Sequence, residues 1–179
     1  MSPQGDGGIV KRRVIMKRGI TRREREVTDL NEIIGILDRA KIVHVGMVDE
    51  GKPYIVPMNY GYTMIDGKLS LYLHGATTGR KLDILRVNPE VFVEIDTDIV
   101  PFEGESACQH GVCYSSVMGE GKATIIEDAC GKIDGLKKLM KTQTGKDFEF
   151  NDKMVAGVTV IRIDVDEYTA KKRPMPKRD

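Results

Sequence analysis

The residues of this 179-residue chain best suited to chemistry stand together in Leu71-Tyr72-Leu73-His74-Gly75-Ala76-Thr77-Thr78-Gly79-Arg80-Lys81. An alternating, strand-like stretch ends at His74, small residues follow, and two adjacent cations open what reads as a helix. Free backbone N–H groups and the helix dipole favour an anion at such a start. Arg80 can grip phosphate oxygens with two prongs, and Lys81 adds a compact charge. A solvent-facing Arg-Lys pair on an ordinary helix fits the same residues equally well. His74 closes the strand just before this turn, where an imidazole can hold or give a proton near neutral pH. A histidine merely hydrogen-bonded at a strand end is the alternative.

Other reactive residues carry less. Cys108, His110 and Cys113 form a Cys-x-His-x2-Cys cluster, but structural zinc wants four ligands and no fourth stands at a matching spacing. No metal is expected, and the loop reads as a cover for the site or a contact with another subunit. No base and orienting partner stands near these cysteines to activate a nucleophile. His44 lies in a strand-like run and reads as structural. Tyr54, Tyr60, Tyr62 and Tyr72 recur at strand spacing, which suits sheet packing better than base stacking. With no sustained basic stripe in the core of the sequence, nucleic acid is not an expected partner.

The elements that must position these residues follow from the periodicity. Asp29 and Glu32 cap a helix whose apolar face is Leu30, Ile33, Ile34 and Leu37, ending near Ala40. Residues 42–48 then read as a strand, closed by the turn cluster Asp49-Glu50-Gly51-Lys52. From Tyr54 to Tyr62 one further strand alternates, with Val56, Met58, Tyr60 and Tyr62 on one side and Ile55, Pro57, Asn59 and Gly61 on the other. Asp66-Gly67 is a two-residue hairpin turn, and Leu69, Leu71 and Leu73 alternate in the returning strand. A short helix from about Thr78 to Val87 is stopped by Asn88-Pro89. Val91, Val93 and Ile95 mark a strand, 98–111 reads as loop, and 114–126 as a long strand bent at Gly119 and Gly121. A helix carrying Ile133, Leu136, Leu139 and Met140 and a last strand over 158–165 complete the set. Six antiparallel strands with flanking helices predict a mainly β (α+β) fold, a small barrel closed or half-closed.

A length of 179 residues suits one domain, and the charge distribution gives it basic ends. Lys and Arg number 28 against 27 Asp and Glu, so the whole chain has no net reason to seek nucleic acid or membrane. Lys11, Arg12, Arg13, Lys17, Arg18, Arg22, Arg23 and Arg25 load the start, and Lys171, Lys172, Arg173, Lys177 and Arg178 the end. The expected division is a flexible basic tail over 1–21, one folded domain over 22–168 and a second basic tail over 169–179. No stretch reaches the roughly 20 apolar residues a membrane helix needs, and no signal peptide is evident. Three irregularly spaced cysteines do not suggest a disulfide framework, so a cytoplasmic protein is expected.

The order Leu-Tyr-Leu-His-x4-Gly-Arg-Lys, Asn88-Pro89 and a Val-Phe-Val-Glu strand resembles the pyridoxamine-phosphate-oxidase-like superfamily of FMN split barrels. Tyr54-Ile-Val-Pro57-Met-Asn59-Tyr60-Gly61-Tyr62, Asp66-Gly67-Lys68-Leu69, Tyr114-Ser115-Ser116-Val117-Met118-Gly119 and Thr144-Gly145-Lys146-Asp147-Phe148 are similar to its nitroimidazole-resistance (Nim) branch. The resemblance covers roughly 22–168. It implies an FMN-dependent oxidoreductase, a homodimer with FMN between its subunits. Arg80 and Lys81, with Gly79 at the turn, would hold the phosphate. The isoalloxazine would run along Val56, Pro57, Met58 and Asn59, with Tyr72 and His74 also contacting the cofactor. Ser116 and Val117 would come from the neighbouring subunit. His74 would orient or protonate a small acceptor, a nitroimidazole or other nitro-aromatic being the class the branch suggests. Vitamin B6 oxidation is not expected, because the end Thr169-Ala170-Lys171-Lys172-Arg173-Pro174-Met175-Pro176 lacks the histidine that such oxidases carry there. The same superfamily also holds deazaflavin and haem proteins, and a flavin-binding sensor without turnover would use the same scaffold.

Overall fold

The computed structural model describes residues 20–176. The basic segment expected as a tail over 1–21 lies, up to residue 19, outside the described residues, as do Lys177 and Arg178. The first strand, β1, is only Glu26–Val27, and α1 follows over Leu30–Arg39. The Asp29 carboxylate accepts the Glu32 N–H at 3.0 Å, so Asp29 caps the helix as its spacing predicts. Glu32 does not complete the reciprocal box with its side chain; it accepts a bond from Lys172 at 2.7 Å.

Two tight turns set the hairpins. Glu50 (φ +49°) and Gly51 (φ +79°) join β2 (Ile42–Asp49) to β3 (Lys52–Asn59), and Asp66 (φ +50°) and Gly67 (φ +76°) join β4 (Gly61–Ile65) to β5 (Lys68–Gly75). Paired positive φ values twist in the same sense as the strands, which is why these dipeptides make hairpins. After β5 come α2 (Arg80–Val87), β6 (Glu90–Phe102), β7 (Gly111–Ile126), α3 (Ala129–Thr144), the single turn α4 (Asp152–Val155) and β8 (Thr159–Arg173).

All strand pairs are antiparallel, and the ladder runs β3-β2-β6-β7-β8-β5-β4, with β1 added to β8. The sheet therefore has eight strands, not the six that the alternation predicts. One addition is β1, too short to show a period. The other arises because the 54–62 run is two strands, divided at Tyr60. Consecutive Cα atoms stand about 3.8 Å apart, so Asn59 and Gly61 can be no more than ~7.6 Å apart. Yet β3 and β4 are the two ends of the ladder. Only a sheet rolled until its ends approach satisfies both facts, and the ladder stays open between them: a split barrel. Tyr60 pins the corner, fully buried, its hydroxyl donating to the Leu37 carbonyl at 2.7 Å. Val43, Val45, Leu71, Val93, Ile95 and Ile163 fill the interior from alternate positions.

Two further expectations are corrected. The segment 98–111 is loop only in part, since β6 continues to Phe102 across a bulge between Thr97 and Val100. The last strand does not stop at Val165 but continues to Arg173, lying between β7 and β1. Two of its basic residues are engaged there: besides Lys172 on Glu32, the Arg173 guanidinium lies 4.7 Å from the centroid of Phe102. Among the described residues no helix is long and apolar enough to cross a membrane.

The bulge carries an ion pair that predicts an acid response. Arg39, at the end of α1, donates Nε and Nη2 to the two oxygens of Asp98 at 2.9 and 2.7 Å. Those bonds hold the Asp98 carboxyl below the ordinary carboxylate range. A depressed acid stabilises the fold above its unfolded pKa, near ~3.9, and loses that contribution as pH falls through the folded value. Both side chains are well exposed, so the effect is at most ~1 kcal/mol. Asp98 has φ +59°, a conformation asparagine also tolerates, so Asp98→Asn removes charge with little backbone strain. Denaturant titrations should show the wild-type advantage over Asp98→Asn shrinking as pH falls below ~4.

Candidate functional site

The chain leaves β5 at Gly75 and enters α2 through Gly79, whose φ of +132° suits glycine and few other residues. The Gly79 carbonyl accepts from Leu82 and Asp83 N–H at 2.9 and 3.3 Å, which opens the helix. No side chain caps that start. The two cations leave it in different directions. Lys81 folds back over the strand end, so that a Cβ built on Gly75 would stand 2.9 Å from its Nζ. Arg80 reaches the β2–β3 hairpin, where Asp49 Oδ2 accepts from Nε at 2.8 Å and stands 2.8 Å from Nη2 in an ion pair. The same guanidinium lies over the Tyr54 ring, 4.4 Å from its centroid. Three elements distant in sequence thus meet at one corner: the end of β5, the start of α2 and the beginning of β3.

The other candidate residues are distributed about this corner. Val56 and Met58 turn towards the core, while Pro57 and Asn59 lie on the opposite face of β3, in register with His44 and Ile42. As the terminal strand of the ladder, β3 has one edge whose backbone groups meet no ladder partner. Pro57, which has no N–H to offer, is compatible with such an edge. His74 and Tyr72 share one face of β5. The Nδ1 atom of His74 is buried and has no hydrogen-bond partner among the described residues. Tyr72 is instead covered by α3: Lys138 stands 4.4 Å from its ring centroid and donates to its hydroxyl at 3.3 Å. Ser116 and Val117 lie on β7 opposite Asp96 and Ile95. Val117 is 1% exposed, and its strand is paired on both sides, with Ile95 of β6 and Ala170 of β8 opposite it. The expectation that it reaches a neighbouring subunit's cofactor is therefore corrected: it packs inside its own core.

Cys108, His110 and Cys113 do not form a ligand set. Cys108 and His110 are exposed, and buried Cys113 points its thiol to the Met175 sulfur at 3.8 Å. The described residues whose ligand atoms do gather are His44, Glu94 and Asp96 on the outer sheet face, with His44 Nδ1 at 3.0 Å from Glu94. Register explains this group, because His44 and Glu94 are directly opposed on β2 and β6. The spacing of 50 residues hides it from sequence reasoning. Asp49 and Tyr54, likewise, are contacts of Arg80 that no local motif announces.

A phosphate-bearing flavin fits what is present. The buried, unpaired Nδ1 of His74 calls for a polar partner from outside the chain. Gly79 lies open, a Cβ there meeting nothing within 4 Å, while the Lys81 ammonium covers Gly75. Two cations at a helix start supply the charge an anionic group requires.

Known proteins bear on this arrangement. The family described as pyridoxamine 5'-phosphate oxidase matches residues 29–172. No curated protein matches the chain. Among solved structures, a protein of Bacteroides thetaiotaomicron, provisionally assigned to 5-nitroimidazole antibiotic resistance, is 32% identical. That alignment covers 82% of this chain and 86% of the other, with a TM-score of 0.70. The flavocytochrome Anf3 of Azotobacter vinelandii shares the fold at 22% identity and a TM-score of 0.72, over 90% of this chain and 75% of that one. The FAD and haem binding protein of Mycobacterium smegmatis does so at 19% identity and 0.72, over 87% and 77%.

Proposed function

Since this chain belongs to the pyridoxamine 5'-phosphate oxidase family, we propose that it is an FMN-dependent oxidoreductase that passes electrons from reduced FMN to a small acceptor. The observation that carries the reading is the β5–α2 corner, where His74, with its unsatisfied buried nitrogen, leads through Gly75 and Gly79 to Arg80 and Lys81. Arg80 and Lys81 hold the phosphate, and the free edge of β3 offers backbone groups to the polar rim of the ring system. FMN, when bound, would supply the redox chemistry. His74 orients the acceptor and holds or gives a proton at its imidazole nitrogen. The resemblance to the Bacteroides protein favours a nitroimidazole or another nitro-aromatic as acceptor.

The working unit is a homodimer with FMN at the subunit interface. Ile55, Gly46 and Phe92 lie in register across β3, β2 and β6, and with Ile42 and Val48 they make an exposed apolar band on the outer face. Such a band suits burial against a second copy. That copy also brings Ser116 of β7.

The test is an absorption spectrum of the purified protein after FMN addition and gel filtration. A flavin spectrum retained on a dimer-sized peak is expected, together with reduction of a nitro-aromatic faster than by free reduced FMN. A Soret band, or no retained flavin, overturns the cofactor. Retained flavin with no acceptor reduced faster than by free FMN overturns the enzyme.

A further inference from the structure

An arginine grips phosphate well only if its guanidinium is held with the correct edge outward. The group has two forked edges, Nε with Nη2 at the side and Nη1 with Nη2 at the end. In this chain Asp49 Oδ2 takes the side edge, at 2.8 Å from both Nε and Nη2. Tyr54 takes one flat face, 4.4 Å from the ring centroid. What remains is the end fork and the other face. Without these two contacts the long Arg80 side chain, exposed as it is, would sample many rotamers and lose that freedom on binding.

From this geometry we infer that Asp49 and Tyr54 are positioning residues for phosphate recognition: they lock Arg80 with its end fork free, so that the β2–β3 hairpin, which touches no phosphate itself, sets the preference for a phosphorylated flavin. The inference rests on the reading that Arg80 holds the FMN phosphate. The local chain explains how the hairpin reaches the site. The type I′ turn at Glu50-Gly51 folds β3 back so that Tyr54 follows Asp49 within one turn of the hairpin, Asp49 opposing Lys52 and Tyr54 opposing Met47.

The sign of the effect separates positioning from simple charge. Asp49 is an anion beside an anion site, so Coulomb's law alone predicts that Asp49→Asn binds FMN more tightly. Positioning predicts the reverse. The experiment titrates flavin-free, full-length protein with FMN and with riboflavin, which shares the ring and lacks the phosphate, following quenching of flavin fluorescence. For Asp49→Asn and for Tyr54→Leu the FMN affinity is expected to fall about tenfold with the riboflavin affinity unchanged. Tyr54→Phe, which keeps the stacked ring, should retain the wild-type preference. Equal or tighter FMN binding by Asp49→Asn overturns the inference, as does an equal loss for both flavins, which would mark a general structural defect. A wild-type protein that does not prefer FMN to riboflavin at all overturns the phosphate grip itself, and the positioning role with it. The two failures are told apart by the wild-type preference.

Discussion

Arg80→Ala combined with Lys81→Ala is expected to strip FMN from the protein on gel filtration while leaving the barrel folded. Each cation would give FMN a charge-assisted contact of about 1.5–3 kcal/mol. Loss of both therefore removes ~3 kcal/mol or more, a weakening of at least about 100-fold in Kd. The fold should survive because neither side chain is part of the core, and α2 is anchored by buried Leu82, Ile84 and Leu85. Arg80→Lys refines the result: it keeps the charge but loses the fork, so an intermediate affinity is expected. Circular dichroism and the thermal midpoint check the fold, and flavin absorbance in the protein peak reads the loss. A double variant that keeps its flavin would place the phosphate elsewhere.

The second large effect is structural. Gly61→Ala is expected to destabilise the protein severely, because a Cβ there would run into the backbone of α3 at Leu139 and Lys138. Backbone atoms of a helix cannot swing aside as a flexible side chain does. The helix as a whole must shift off β4, and Gln143 would be pulled from the Tyr60 carbonyl that it donates to at 2.7 Å. Overpacking a core costs about 1–3 kcal/mol where side chains can adjust, and the rigid neighbour here argues for ~3 kcal/mol or more. The midpoint of urea unfolding measures it. Gly157→Ala is the matched control: a Cβ there meets nothing within 4 Å, so the same substitution should be near neutral.

What the sequence reveals of this molecule is whatever is local. The Asp29 cap, both hairpin turns and the stop at Asn88-Pro89 are decided within a few residues, and each stands where its chemistry predicts. The break at Tyr60 escapes because the alternation Val56, Met58, Tyr60, Tyr62 passes straight through it; only the far ladder partners, β2 and β5, show that two strands are present. The end of β8 escapes for the opposite reason. Lys171-Lys172-Arg173 has the composition of a solvated tail, and its partners Glu32 and Phe102 lie far back in the chain. At the candidate site, Arg80, Lys81 and His74 are legible from one short motif. The contacts that orient Arg80 come from a hairpin 31 residues earlier and exist only in the fold.

The pairing of β1 with β8 sets Glu26 opposite Lys171, so the first and last strands of the described fold lie side by side. In connectivity the barrel is a loop cut at one place. The cut need not lie there: a chain rejoined across that seam and reopened at the Asp66-Gly67 turn would give every strand the neighbours it has now. The architecture thus belongs to the set of strand contacts, and the position of the chain ends is a separable choice.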